Sequence, residues 1–187
     1  MKTLKNTLFY SFGLMLTFIV FACSNDDNGG EDSSNTHHPS GDAHTYEIYF
    51  DNGKELKGSV SKYLTNFYYS YTFIEYNPET NGDRLTMVLI DQANNLEIGL
   101  GVNLDENNNP IIDGETSVFV IYELDENYGY ITNNFTATFS NYQKFIIDYY
   151  EDELEVATFT LELEGAISNT ITGEAYQFSG VVTIAAP

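Results

Sequence analysis

An antiparallel all-β domain, a β-sandwich of about nine or ten strands, is predicted for this chain of 187 residues on three grounds. Apolar residues recur at every second position, turn-forming residues break these runs at short intervals, and no comparable window favours helical spacing. Leu96, Ile98, Leu100, Val102 and Leu104 alternate with Glu97, Gly99, Gly101 and Asn103, which gives one strand an apolar face and a polar or small face. A closed barrel of lipocalin kind is the alternative, because the same alternation serves a sheet that closes on itself.

The strands are expected, in order, near 45–50, 55–63, 67–76, 85–91, 96–104, 117–124, 131–140, 144–150, 154–168 and 175–185. Asp51-Asn52-Gly53 closes the first, and Asn77-Pro78 to Gly82, Asn94-Asn95 and Asp105 to Pro110 separate those that follow. Asp113-Gly114, Asn127 to Gly129 and Asn169 to Gly173 break the second half. Loops of hairpin length imply a meander or Greek key. Between Leu154 and Ile167 the apolar parity slips, with Leu154 and Val156 on even positions and Phe159, Leu161 and Leu163 on odd ones; a bulge near Ala157 would reconcile them.

The N-terminus has a different character. Lys2 and Lys5 precede an uncharged stretch from Leu8 to Ala22, which ends abruptly at Ser24-Asn25-Asp26-Asp27, the layout of a secretory signal peptide over 1–22. As a helix that stretch spans about 22 Å, short of the ~30 Å hydrocarbon core. Val20-Phe21-Ala22-Cys23 resembles the lipobox of bacterial lipoproteins. The resemblance implies cleavage before Cys23 and a diacylglycerol on its thiol, with two acyl chains giving the anchoring that one chain cannot. Ser24, Asp26 and Asp27 look like the export signal of Bacteroidota surface lipoproteins, which implies an outer-membrane, surface-exposed protein; a periplasm-facing attachment is the alternative.

Residues 23–44 are expected to be the lipidated Cys and a flexible acidic tether, since Asn, Asp, Ser, Gly, His and Pro dominate and cannot bury enough apolar area to offset ordering. A coil of that length holds the following domain on the order of 25 Å from the lipid. The single β-domain is expected over 45–187, without disulfides, because Cys23 is the chain's only Cys.

Composition closes several functions. The chain carries 28 Asp+Glu against 7 Lys+Arg, and Lys2 and Lys5 would be lost with the leader. Nucleic acid and other polyanions would be repelled. His37, His38 and His44 all precede residue 45, so the folded part is expected to lack imidazole and thiol, and with them Ser-His-Asp and Cys-His catalysis.

Three chemistries remain. Glu162 and Glu164 project from one strand face about 6.6 Å apart, near the ~6.5–9.5 Å of inverting glycosidases, although any such pair on a strand has that spacing and normally forms a solvated face. Asp105, Asn107 and Asn109 begin like an EF-hand loop, but Pro110 stands where Gly belongs and Thr116 where the bidentate Glu belongs; a different calcium site with Asp113 is one reading and a polar hairpin loop the other. In the segment from Phe67 to Tyr76, Tyr68, Thr72 and Tyr76 share a face that could contact a glycan or a protein, while the opposite face packs on the core. Ordinary packing of both faces is the alternative, and the absence of Trp weighs against stacking on sugars. Asn134-Phe135-Thr136 forms a glycosylation sequon, read as chance strand sequence.

The expectation is therefore a lipid-anchored, non-catalytic binding or interaction module of the cell envelope. A carboxylate-dependent glycan-active enzyme and a lipocalin-like carrier of small ligands are the alternatives.

Overall fold

In the computed structural model the described residues are 41–62, 71–125, 128–149 and 152–187. They form eleven strands and no helix: β1 (Ala43–Phe50), β2 (Glu55–Ser61), β3 (Tyr71–Asn77), β4 (Gly82–Asp91), β5 (Leu96–Leu104), β6 (Pro110–Ile111), β7 (Val118–Glu123), β8 (Tyr128–Thr132), β9 (Phe135–Tyr149), β10 (Asp152–Asn169) and β11 (Ala175–Ile184). The predicted all-β class holds. β1 shows why: Tyr46, Ile48 and Phe50 are buried while Glu47 and Tyr49 point outward, so the pleat sorts the alternation into two faces.

All strands join one antiparallel sheet in the order β2-β1-β11-β10-β8-β7-β5-β4-β3, with β9 added to β10 and β6 to β5. The sheet curls into a half-barrel, so its two arms face one another across one core. Phe119 of β7 stacks on Phe178 of β11 with ring centroids 5.5 Å apart, and Phe50 of β1 lies 5.2 Å from Tyr130 of β8. Loss of either Phe119 or Phe178 to Ala would cost about 3–5 kcal/mol.

The edge strands β2 and β3 end this path without pairing to each other, and polar contacts join the arms instead. Tyr46 of β1 donates to Asp91 Oδ2 at the end of β4, 2.7 Å away in the interior, and Asn94 Nδ2 donates to the same oxygen at 2.8 Å. Burial works to raise the Asp91 carboxyl, but the hydrogen bonds from Tyr46 and Asn94 outweigh it and hold the group below its ordinary value. Gly58 of β2 lies directly against this pair: a Cβ there would fall on the Tyr46 hydroxyl and the Asp91 carboxylate. Elsewhere Lys54 pairs with Glu123 and lies 4.9 Å from the centre of the Tyr130 ring, tying the β1–β2 turn to β7 and β8.

Three features depart from the expected arrangement. The sheet begins at Ala43 rather than Thr45, which carries His44 into the fold at 6% exposure. Its Nδ1 accepts a hydrogen bond from the Ala185 N–H at 3.0 Å, so the folded domain does contain an imidazole, spent on anchoring the end of the last strand. Second, no break occurs after residue 140. β9 runs through Asn141, which adopts φ 55°, and the chain instead breaks between β8 and β9 at Asn133-Asn134. Third, the parity slip belongs to two faces of β10. Ala157, Phe159, Leu161, Leu163 and Ile167 all face the core, whereas Leu154 and Val156 lie on the opposite side. The register does shift, between Thr158 and Thr160, but the extra residue sits in β9, where Asn141 and Tyr142 span the place of Phe159.

Candidate binding site

Register builds a polar grid on the outer face of β1, β11, β10 and β9. Tyr49 stands opposite Ser179, Ser179 opposite Glu164, and Glu164 opposite Thr136. In the next row the Asp51 N–H donates to Gln177 O at 3.0 Å, Gln177 stands opposite Ala166, and the Ala166 N–H donates to Asn134 O at 3.3 Å. With strands about 4.8 Å apart and alternate residues about 6.7 Å apart, the grid is about 14 Å wide and two rows deep.

An open cleft of about 760 Å³ lies over these rows. Its floor is low at Ser179 and Ala166, which are small, and Tyr49, Gln177 and Glu164 line it beside them, whereas Gly165 turns to the opposite face with Phe178 and Phe135. Gly165 is required by the approach of β9: a Cβ there would come within 2.6 Å of Asn134 O and 2.7 Å of Phe135 Cα. Beneath the floor Phe50, Phe135 and Phe178 are buried in the core, so the grid rests on a packed layer.

The aromatic wall is fixed in place. Tyr49, 37% exposed, donates its hydroxyl to Glu47 Oε2 at 2.7 Å, and Lys57 Nζ lies 4.8 Å from the ring centre and 3.1 Å from Glu55 Oε2. Hydrogen bonding to Tyr49 and Glu55 holds the Lys57 ammonium above its ordinary value. Glu164 on β10 and Asp51, two residues beyond Tyr49 on the β1 side, are acidic, and Glu162 stands exposed one row away. The site thus offers one rigid ring, hydroxyl and amide groups that donate and accept, and a negative surround. That combination suits a ligand with many hydroxyl or amide groups and no negative charge.

Of the residues singled out from sequence, Glu164, Asn134 and Thr136 line the cleft, while those expected to bind a ligand or a metal fall elsewhere. Cys23 and Tyr68 lie outside the described residues. Thr72 is not on an open face: it is 5% exposed, because the Thr72–Ile74 side of β3 turns inward. The outward side instead carries Tyr71 and Phe73, stacked with centroids 5.4 Å apart. Tyr76 is 60% exposed beyond the end of the core and donates to Asn81 Oδ1 at 2.7 Å, so the expected Tyr68, Thr72 and Tyr76 surface is not one exposed face.

Asp105 and Asp113 each serve their own turn. Asp105 Oδ1 accepts the N–H groups of Asn107 and Asn109, both at 2.8 Å, and these bonds, led by that from Asn109, hold the carboxyl low. Asp113 accepts the Thr116 hydroxyl at 2.6 Å and the N–H groups of Glu115 and Thr116 at 2.9 Å, with the same effect led by the Thr116 hydroxyl. Among the described residues no three His, Cys, Asp or Glu side chains are grouped to hold a metal ion, and Asp105, Asn107, Asn109 and Asp113 are accounted for as two polar turns. Burial raises the carboxyl of Glu97 on β5, but its neighbours in register are Ile90 and Tyr122, on the other arm of the sheet.

No protein family, curated protein or solved structure compared with the chain matches it.

Proposed function

We propose that the chain is a cell-envelope lipoprotein, anchored through Cys23, whose β-domain is a non-catalytic binding module that takes an uncharged oligosaccharide in the Tyr49–Glu164 cleft. The observation that carries this reading is the Tyr49 side chain, held by Glu47 and Lys57 at one side of a cleft that the small Ser179 and Ala166 line together with Gln177, Asn134, Thr136 and Glu164. Fixing the ring in advance lowers the entropy lost on binding. The acidic surround disfavours sulfated or uronic-acid glycans.

Binding is favoured over hydrolysis by the placing of the acids. Glu162 and Glu164 share a face, but only Glu164 lines the cleft. Its acidic counterpart there, Asp51, is two strands and one row away, about 12 Å by strand spacing, which exceeds the ~6.5–9.5 Å that paired glycosidase carboxylates need.

A panel of immobilised neutral and sulfated oligosaccharides tests the reading. Wild-type protein should bind a subset of the neutral members, Tyr49→Ala should weaken that binding at least tenfold, and the sulfated members should be ignored. Retention of only sulfated ligands, or equal binding by Tyr49→Ala, would contradict it.

A further inference from the structure

We propose that the edge of β9, unpaired among the described residues, is a strand-addition site for an extended, lysine- or arginine-bearing segment of a partner protein, a role distinct from ligand capture in the neighbouring cleft. β9 is 15 residues long, and among the described residues it pairs with β10 alone. Every second residue of such an edge turns its N–H and C=O groups to the open side, where an added strand can bond to them. The other two ends of the sheet, β2 and β3, are 7 residues each.

The usual guards are sparse here. β9 holds no Pro, and its one Lys, Lys144, is drawn onto the neighbouring strand by Glu155 at 2.6 Å. The bulge at Asn141 interrupts the edge once and leaves a run on either side. Beyond the bulge, Gln143–Tyr149 pairs with Asp152–Thr158, whereas the pairing of β10 with β11 begins only at Phe159. On the β10 side this ribbon is held by Thr72 of β3, which bonds both backbone groups of Ala157, while its β9 strand carries Ile146 at 67% exposure. A strand added to β9 would cover the remaining side.

Charge selects the occupant. Asp148, Asp152, Glu153, Glu155, Glu162 and Glu164 lie on β9 and β10 against the single Lys144. A second copy would bring the same acids together, whereas a cationic segment would meet opposite charge across adjacent strands.

The test uses the lipidated protein in detergent micelles and a synthetic ten-residue peptide alternating lysine with valine. Hydrogen exchange read by mass spectrometry should show new protection within Phe135–Tyr149, weakening as salt is raised. Ile146→Lys should lower the affinity at least fivefold with the circular dichroism spectrum unchanged, and Tyr49→Ala should leave it intact. A glutamate–valine peptide should not bind. Protection appearing elsewhere, equal binding of both peptides, or self-pairing through β9 seen as a dimer in sedimentation would overturn the proposal.

Discussion

One hydroxyl serves both backbone groups of a residue 85 positions away: Thr72 Oγ1 donates to Ala157 O at 2.7 Å and accepts from the Ala157 N–H at 2.9 Å. This contact joins β3 to β10 just before β11 begins to pair with β10. Thr72→Val keeps the shape and leaves both groups of Ala157 buried without a partner, so urea unfolding should show a loss of about 2–3 kcal/mol. Thr183 is the internal control. It is 3% exposed and its hydroxyl has no hydrogen-bond partner among the described residues, so Thr183→Val should be neutral or stabilising by about 1 kcal/mol. Equal losses in the two variants would remove Thr72 from the role of joint.

Gly58→Ala should destabilise by about 2–3 kcal/mol, since the methyl must displace the Tyr46–Asp91 bond or bend β2 away. A double-mutant cycle with Tyr46→Phe checks the cause. Removing the hydroxyl takes away one of three clashing atoms and frees the Asp91 carboxylate to move, leaving Tyr46 Cζ against the methyl, so the double variant should lose somewhat less than the two single losses combined. Strict additivity would place the strain elsewhere.

His44 predicts a pH dependence. Burial first, and the nearby Lys62 charge second, lower its imidazole from 6.5 to about 4. The unfolded chain therefore takes up a proton below pH 6.5 that the folded chain refuses. Stability is complete above that value, falls as the pH drops towards 4, and loses nothing more from this group below it. The whole effect is about 3 kcal/mol at ~1.4 kcal/mol per pH unit. His44→Gln retains an acceptor for the Ala185 N–H, so its unfolding midpoint should lose most of this slope between pH 6.5 and 4.5. Asp91 acts in a separate window below its ordinary 3.8, since its carboxyl is held lower in the fold. An unchanged slope in His44→Gln would mean that the imidazole titrates freely.

Anchoring is checked at Cys23. Mass spectrometry of protein purified from membranes should find a mature chain beginning at Cys23 with acyl chains attached, and Cys23→Ser should leave the protein uncleaved or soluble. An intact leader ahead of a bare thiol would contradict the proposed location.

The alternation made the strands legible: β5 falls at 96–104 as expected, because Leu96 to Leu104 alternates without interruption. Local pattern failed where two strands share one pattern or one strand contains a break. Asn141 looked like a loop residue and is a left-handed bulge inside β9, while Asn133-Asn134 looked like strand and is the true break. Thr72 was assigned outward because alternation fixes that Tyr71 and Thr72 oppose each other but not which of them faces the core. Position 44 looked like tether because its neighbours are polar, and only the distant Ala185 N–H reveals its part in the fold. The cleft was half visible. Glu164 stood out as an acid, and Asn134 and Thr136 as a sequon, yet Tyr49 lines the same cleft only because β1 pairs with β11, a register set across more than a hundred residues of chain.

The cleft itself is tested most directly by hydrogen exchange on the full chain with and without a neutral oligosaccharide selected from the panel. Exchange should slow only within Tyr49–Asp51, Asn134–Thr136, Glu164–Ala166 and Gln177–Ser179, and this protection should be lost in Tyr49→Ala. Protection centred on the Tyr76–Asn81 turn, or binding with none of these segments protected, would contradict it.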